Sequence, residues 1–350
     1  MNIRTLLVDG SYLLQRSFHG AKDLYTNNFG SIGALYSFLT TIRKLIKQNS
    51  INKTVIFFDG ESGGIARYNI DHAYKANRKN KSWYNKIELS EAEIKKEKEK
   101  EESLLKNKKR IQQYAEELFL RQIEVNEIEA DDLISAYVER YFRDEEIFIF
   151  TNDRDFIQLL DYGITILFDN IKEPINKTNF FFHFPYHYSN ALTVKIICGD
   201  TSDNIDNIEG IQLKTLLKFF PDIKLRYYTV REICQKADAI NKKRIEEKKK
   251  PLKAFENLLK NIGRLKMNYK LINLRKPFLN ENALEELEQL RMPLSDKNRG
   301  SKYLYKMMVE DEFLTIYNGT FPNYVEPFYV VIMNEKQILK EYLKKEKNII

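Results

Sequence analysis

Five acidic motifs punctuate the first two hundred residues, and the short apolar runs several of them close leave few folds open. They are Leu6-Leu7-Val8-Asp9-Gly10, Phe57-Phe58-Asp59-Gly60, Glu129-Ala130-Asp131-Asp132, Thr151-Asn152-Asp153-Arg154-Asp155 and Gly199-Asp200-Thr201-Ser202-Asp203. Apolar or β-rich runs predict strands at residues 5–8, 54–58, 122–125, 147–150 and 165–167. Helical periodicity falls between them at 30–48, 130–142 and 155–160. Strands alternating with helices imply a mostly parallel sheet covered on both faces. Such a sheet gathers residues at the carboxyl ends of its strands into one crevice, so acids scattered in sequence can meet there. Nine carboxylates in close contact cannot all stay ionised without a counter-charge, and hard oxygen donors of this kind call for a divalent cation, magnesium or manganese.

The 350 residues, 43% hydrophobic and 13% aromatic, can bury a full core. Strand patterns stop after Pro185, which divides the chain into an α/β core over 1–185, a helical subdomain over 186–295 and a C-terminal segment over 296–350 that packs on one of them. The highly charged stretch 79–110 interrupts the core between a strand and its helix and reads as an excursion from the sheet. No basic leader opens the chain and no apolar run is long enough to span a bilayer, so the expectation is a cytoplasmic protein with no membrane role. Cys198 and Cys234, without CxxC spacing, exclude a disulfide framework and offer no structural zinc site.

The net charge of +7 is segregated. Residues 75–110 carry +6 and residues 236–276 carry +10, leaving −9 for the remainder. An acidic floor flanked by basic segments suits an enzyme that grips a polyanionic backbone. Lys-Glu alternation such as Glu97 to Glu102 is, on its own, the pattern of a solvated helix face.

Each acidic motif also has a capping explanation. Asp131 and Asp132 open a predicted helix and Asp153 and Asp155 another, where carboxylates satisfy free N–H groups. Capping needs one acid, however, and here Glu129 and Asp132 share a helical face while Asp131 points to a neighbouring direction. Asp9 and Asp59 follow strands rather than standing at evident cap positions, and each precedes a glycine that permits close approach of backbone or ligand.

In their order, Asp9-Gly10, Phe58-Asp59-Gly60, Arg67 through Tyr74-Lys75-Ala76-Asn77-Arg78, Glu129 to Asp132, Asp153 to Phe156 and Gly199 to Ile205 resemble the flap endonuclease and 5′→3′ exonuclease family over roughly residues 3–220. The insertion with Trp83 and the run Asn268 to Leu274 are similar to its phage members, including the phage ribonuclease H that removes RNA primers. The resemblance implies a PIN-like nuclease core with a helical arch, a helix–turn–helix-type DNA-binding subdomain, and hydrolysis near the 5′ end of flap, nicked or single-stranded-ended DNA or of an RNA–DNA hybrid. It implies two Mg2+ ions about 4 Å apart, replaceable by Mn2+, that activate water and stabilise the leaving oxygen. Asp9, Asp59, Glu129 and Asp131 would serve the first ion. Asp153, Asp155 and Asp203 would serve the second, with Asp132 and Asp200 acting directly or through water. Lys75 and Arg78 would neutralise charge at the scissile phosphate from the arch base, with Arg67 and Tyr74 beside them on the DNA-binding surface.

Gly210, Lys214 and Thr215 match the family's duplex-binding turn. Gln212 stands in place of its second glycine, which puts in question the K+ ion often held there, because non-glycine residues resist positive φ. A single-strand-binding protein or a sliding clamp would be the protein partner, selected by no particular residue, and the chain would be a monomer. From its composition, residues 79–110 are expected to form a mobile arch that orders on a polyanion. Two other classes share features: a non-catalytic nucleic-acid-binding subunit of the same fold, and a haloacid-dehalogenase-like phosphatase, whose second aspartate is replaced here by Ser11.

Overall fold

A computed structural model describes residues 2–21, 24–76, 90–297 and 299–347. The chain forms two interleaved units, one from Met1–Glu61, Leu89–Asn152 and Leu279–Ile350, the other from Ser62–Glu88 and Asp153–Phe278. These units are discontinuous in sequence, whereas the strand and helix patterns suggested consecutive segments.

In the first unit, β1 (Ile3–Asp9) runs into the helix Gly10–Gly20. A small hairpin, β2 (Tyr25–Thr26) and β3 (Gly30–Ser31), precedes the helix Gly33–Asn49. Then come β4 (Lys53–Asp59), the helix Glu91–Glu117, β5 (Arg121–Val125), the helix Ala130–Tyr141 and β6 (Glu145–Thr151). The order β5-β4-β1-β6 is parallel throughout, with Asp9 opposite Phe57, Val8 opposite Phe150 and Asp59 opposite Val125. Leu6, Leu7, Val8, Val55, Ile56, Phe57 and Ile149 are buried on both faces, as a helix-covered parallel sheet requires.

The amino ends of these strands are closed by a buried ion pair. Lys53 Nζ lies 2.8 Å from Glu145, whose other oxygen accepts from Thr5 Oγ1 at 2.6 Å and Tyr137 OH at 2.7 Å. Satisfying the remaining lone pairs in this way offsets the desolvation of two charges. The C-terminal segment packs on the same unit. Arg121 makes a bidentate pair with Glu335 of the helix Tyr329–Lys347, at 2.8 and 2.6 Å, and both side chains are almost fully buried. Arg110 and Tyr114 converge on Asp311.

The part of the charged stretch 79–110 that the structure describes, from residue 90 on, is helical. Glu91–Glu117 is one continuous helix, started by a capping box in which Ser90 and Glu93 satisfy each other's backbone N–H. Beyond that stretch the same helix turns Ile111, Tyr114 and Ala115 into the core. Arg78, Trp83 and Tyr84 lie outside the described residues.

The second unit begins with the helix Ile65–Ile70 and resumes at the 3-10 helix Arg154–Tyr162 and β7 (Thr165–Phe168). It is helical from Ala191–Cys198 onward, through Leu213–Phe219, Val230–Glu246, Lys253–Lys260 and Ile262–Ile272. Ile197, Leu216, Phe220, Tyr228, Ile233 and Phe255 form its core. Among the described residues no helix is long and apolar enough to cross a membrane.

Candidate metal centre

The acids of the first unit sit where strand ends meet helix starts. Asp9 closes β1 and caps the next helix after all, because the chain turns directly from strand to helix. One of its oxygens accepts from Tyr12 N–H at 2.9 Å, the other from Thr151 Oγ1 at 3.0 Å. Gly10 is obligatory, since a Cβ there would lie 2.7 Å from the Phe57 carbonyl oxygen. At the end of β4, Asp59 receives Ala130 N–H at 2.8 Å, so a carboxylate from another strand caps the helix that carries Asp131 and Asp132. Glu129, the residue at the cap position, makes no side-chain cap bond. A Cβ on Gly60 would meet the Val125 carbonyl at 1.7 Å. The glycines after both aspartates thus serve close backbone approach. Asp9, Glu129 and Asp132 are buried, Asp131 is half-buried and Asp59 is exposed.

In the second unit the structure brings Asp155, Asp200 and Asp203 together, with one oxygen of each lying within 4.8 Å of the others. Among the described residues this is the one group of three acids so closely drawn. Asp155 is 8% exposed. Burial first, and then the charge of Asp153, push its carboxyl up to about 7 against the pull of Lys195. Asp153 itself caps the 3-10 helix, accepting Asp155 N–H at 2.7 Å, instead of joining the triad. Asp200 takes that third place.

Lys195, which sequence reasoning missed, pairs with Asp155 and also with Asp200, the latter at 2.6 Å. Burial would lower its pKa, but Asp155, Asp153 and Asp200 raise it instead, so the ammonium stays charged. The same ion pair leaves Asp200 lowered despite its burial. The signal was a single lysine in the apolar helix Ala191–Cys198, one turn before Gly199-Asp200. One ammonium does not neutralise these acids, since Asp155 remains hard to ionise. The donor set fits a divalent metal, whose charge would make up the deficit.

The backbone N–H of Lys75 donates to the Asp203 carbonyl at 2.8 Å, and its ammonium stands 4.9 Å from the Tyr74 ring centroid. Tyr74 is buried. Arg67, only 3% exposed, donates to the Leu271 carbonyl at 2.8 Å and stacks over Phe278. Gly210 has φ +81°, Lys214 lies in the helix Leu213–Phe219, and Thr215 N–H closes the turn on the Gln212 carbonyl at 2.9 Å. Gln212 is extended, at φ −127°, so the residue that replaces glycine bears no left-handed strain. Ser11, where a phosphatase of the haloacid type needs its second acid, accepts the Asp59 N–H at 2.8 Å.

Parallel strands ending in carboxylates, and a three-acid group that could hold a divalent metal, are what a metal-dependent α/β hydrolase needs. The family model described as "5′-3′ exonuclease, N-terminal resolvase-like domain" matches residues 4–184. A 5′-3′ exonuclease of Mycoplasmopsis pulmonis is 28% identical over 316 residues, covering 88% of this chain and 96% of the relative. DNA polymerase I of Caldicellulosiruptor bescii is 27% identical over 81% of this chain but only 32% of its own length. Among solved structures, T5 5′-exonuclease with bound zinc has a TM-score of 0.60 at 19% identity, covering 89% of this chain and 99% of that one. The T5 D15 flap endonuclease in a pseudo-enzyme-product complex with DNA and metal ions has a TM-score of 0.61 at 18% identity, covering 88% and 99%. The chain belongs to the 5′-3′ exonuclease family and is a phosphodiester hydrolase.

Proposed function

We propose that this chain is a structure-specific 5′ nuclease that hydrolyses a phosphodiester near the 5′ end of flap, nicked or RNA-primed DNA, as a cytoplasmic monomer using Mg2+ or Mn2+. The observation that carries the reading is the Asp155–Asp200–Asp203 triad, tied through the Asp203 carbonyl to the loop bearing Lys75. These three acids would hold one ion, with Asp153 acting through water. Asp9, Asp59, Glu129 and Asp131 would hold the other. The ions would supply charge to activate water and to stabilise the leaving oxygen.

The chain's own groups do the rest. The Lys75 ammonium neutralises the scissile phosphate, with Arg78 in the same role by resemblance. Buried Arg67 and Tyr74 position that loop rather than touch a phosphate themselves. Gly210 N–H, Lys214 and Thr215 would hold the duplex backbone, helped by the basic stretch 236–276. A gel of 5′-labelled flap, nicked and RNA–DNA hybrid substrates in magnesium, manganese and EDTA tests the reading. Short 5′-labelled products that need metal support it, and their lengths assign the substrate preference. Absence of metal-dependent product on all three substrates defeats it.

A further inference from the structure

The second unit contains an apolar cavity of about 820 Å³ lined by none of the acids or duplex-binding turn residues named above, although three of its lysines fall in the basic stretch 236–276. Its floor includes Ile196, Leu265 and Phe278, and its rim carries Arg231, Lys266, Lys270 and Lys276 with no carboxylate among the lining residues. Lys266 and Lys270 are four residues apart on the helix Ile262–Ile272 and so share a face. Arg264 on that helix is spent on Asp71 at 2.9 Å and Asp206 at 3.3 Å. Among the described residues the four rim cations make no ion pair.

We propose that this cavity is the docking site for an acidic peptide of a partner protein, anchored by a bulky apolar side chain. Four cations around an apolar floor ask for carboxylates and hydrocarbon in one short ligand. The volume is that of a site that encloses several side chains. A nucleic-acid backbone would satisfy the cations but leave the floor unfilled, whereas a seated aromatic or leucine gains the burial that dominates peptide anchors. The carboxylates would steer association and fix orientation.

The test is fluorescence anisotropy of the full chain with fluorescein-labelled Asp-Asp-Asp-Phe-Leu-Phe. Saturable binding should weaken by about tenfold or more when both phenylalanines of the peptide are replaced by serine, and similarly when its aspartates become asparagine. Combining Lys266→Glu with Lys270→Glu should weaken the parent peptide by about tenfold or more as well. The peptide-side changes leave the protein intact, so they decide the matter even if the doubly charge-reversed variant folds poorly. No saturable binding, or binding indifferent to the peptide substitutions, overturns the proposal. Displacement of the peptide by an unlabelled 5′-flap DNA at the concentration where that DNA itself binds also overturns it, and assigns the rim to nucleic acid.

Discussion

Lys75 N–H is hydrogen-bonded to the Asp203 carbonyl at 2.8 Å, so the loop carrying the basic residue is pinned to the backbone of an acid of the candidate metal triad. Lys75 also holds φ +52°, a left-handed conformation in a residue that is not glycine. Backbone strain of this sort persists only where surrounding contacts determine it.

Lys75→Gly separates charge from strain. Glycine accepts this φ at little cost, so thermal stability should be kept or slightly raised. The single-turnover rate at saturating enzyme should nonetheless fall by on the order of 100-fold, because a contact to developing charge is lost. A rate like that of the unaltered protein would return Lys75 to an ordinary surface role.

Asp155→Asn and Asp203→Asn each remove charge from the triad without touching the basic segments. Cleavage in magnesium should drop by on the order of 100-fold or more. Binding to a 5′-flap substrate in EDTA, followed by gel shift, should persist or tighten. Near-normal turnover in either variant would refute the metal assignment.

Lys195→Met leaves Asp155 and Asp200 without their shared cation. Removing one partner of a buried pair costs about 3 kcal/mol or more when the other charge stays buried. The melting temperature in EDTA should therefore fall by several degrees. Millimolar Mg2+ should restore more of that loss than it adds to the unaltered chain, because binding only to the folded state stabilises it. Equal magnesium-induced shifts in both proteins would count against a metal at this triad.

Arg121→Met alone should destabilise by about 3 kcal/mol or more in urea titration, since Glu335 is left buried and unpaired. Combining it with Glu335→Leu should recover most of that loss, since two apolar side chains carry no unmet charge. A double variant as unstable as the single one would show that the pair contributes through geometry rather than through balanced charge.

The strands β1, β4, β5, β6 and β7 were legible in the sequence to within two residues at either end, because each is a short β-rich run between polar breaks, whereas the two-residue strands of the hairpin β2 and β3 were not. The helix Gly10–Gly20 was not, for its start is a glycine and its cap is the strand's own last residue, Asp9. Neither fact appears in helical periodicity. The three acids that the structure draws together were among those singled out from their motifs. Their grouping was not legible there, since Asp200 rather than Asp153 completes the triad through the loop closed by the Asp200–Ile205 bridge. Lys195 was missed because its role depends on a tertiary ion pair.

The two units each draw on separated stretches of one chain, and the acids at residues 9–132 and 153–203 fall in different units. A gene cut between residues 152 and 153 would discard the second acid set and also residues 279–350, which complete the first unit. Neither set can be passed on as a self-sufficient module by truncation or simple shuffling.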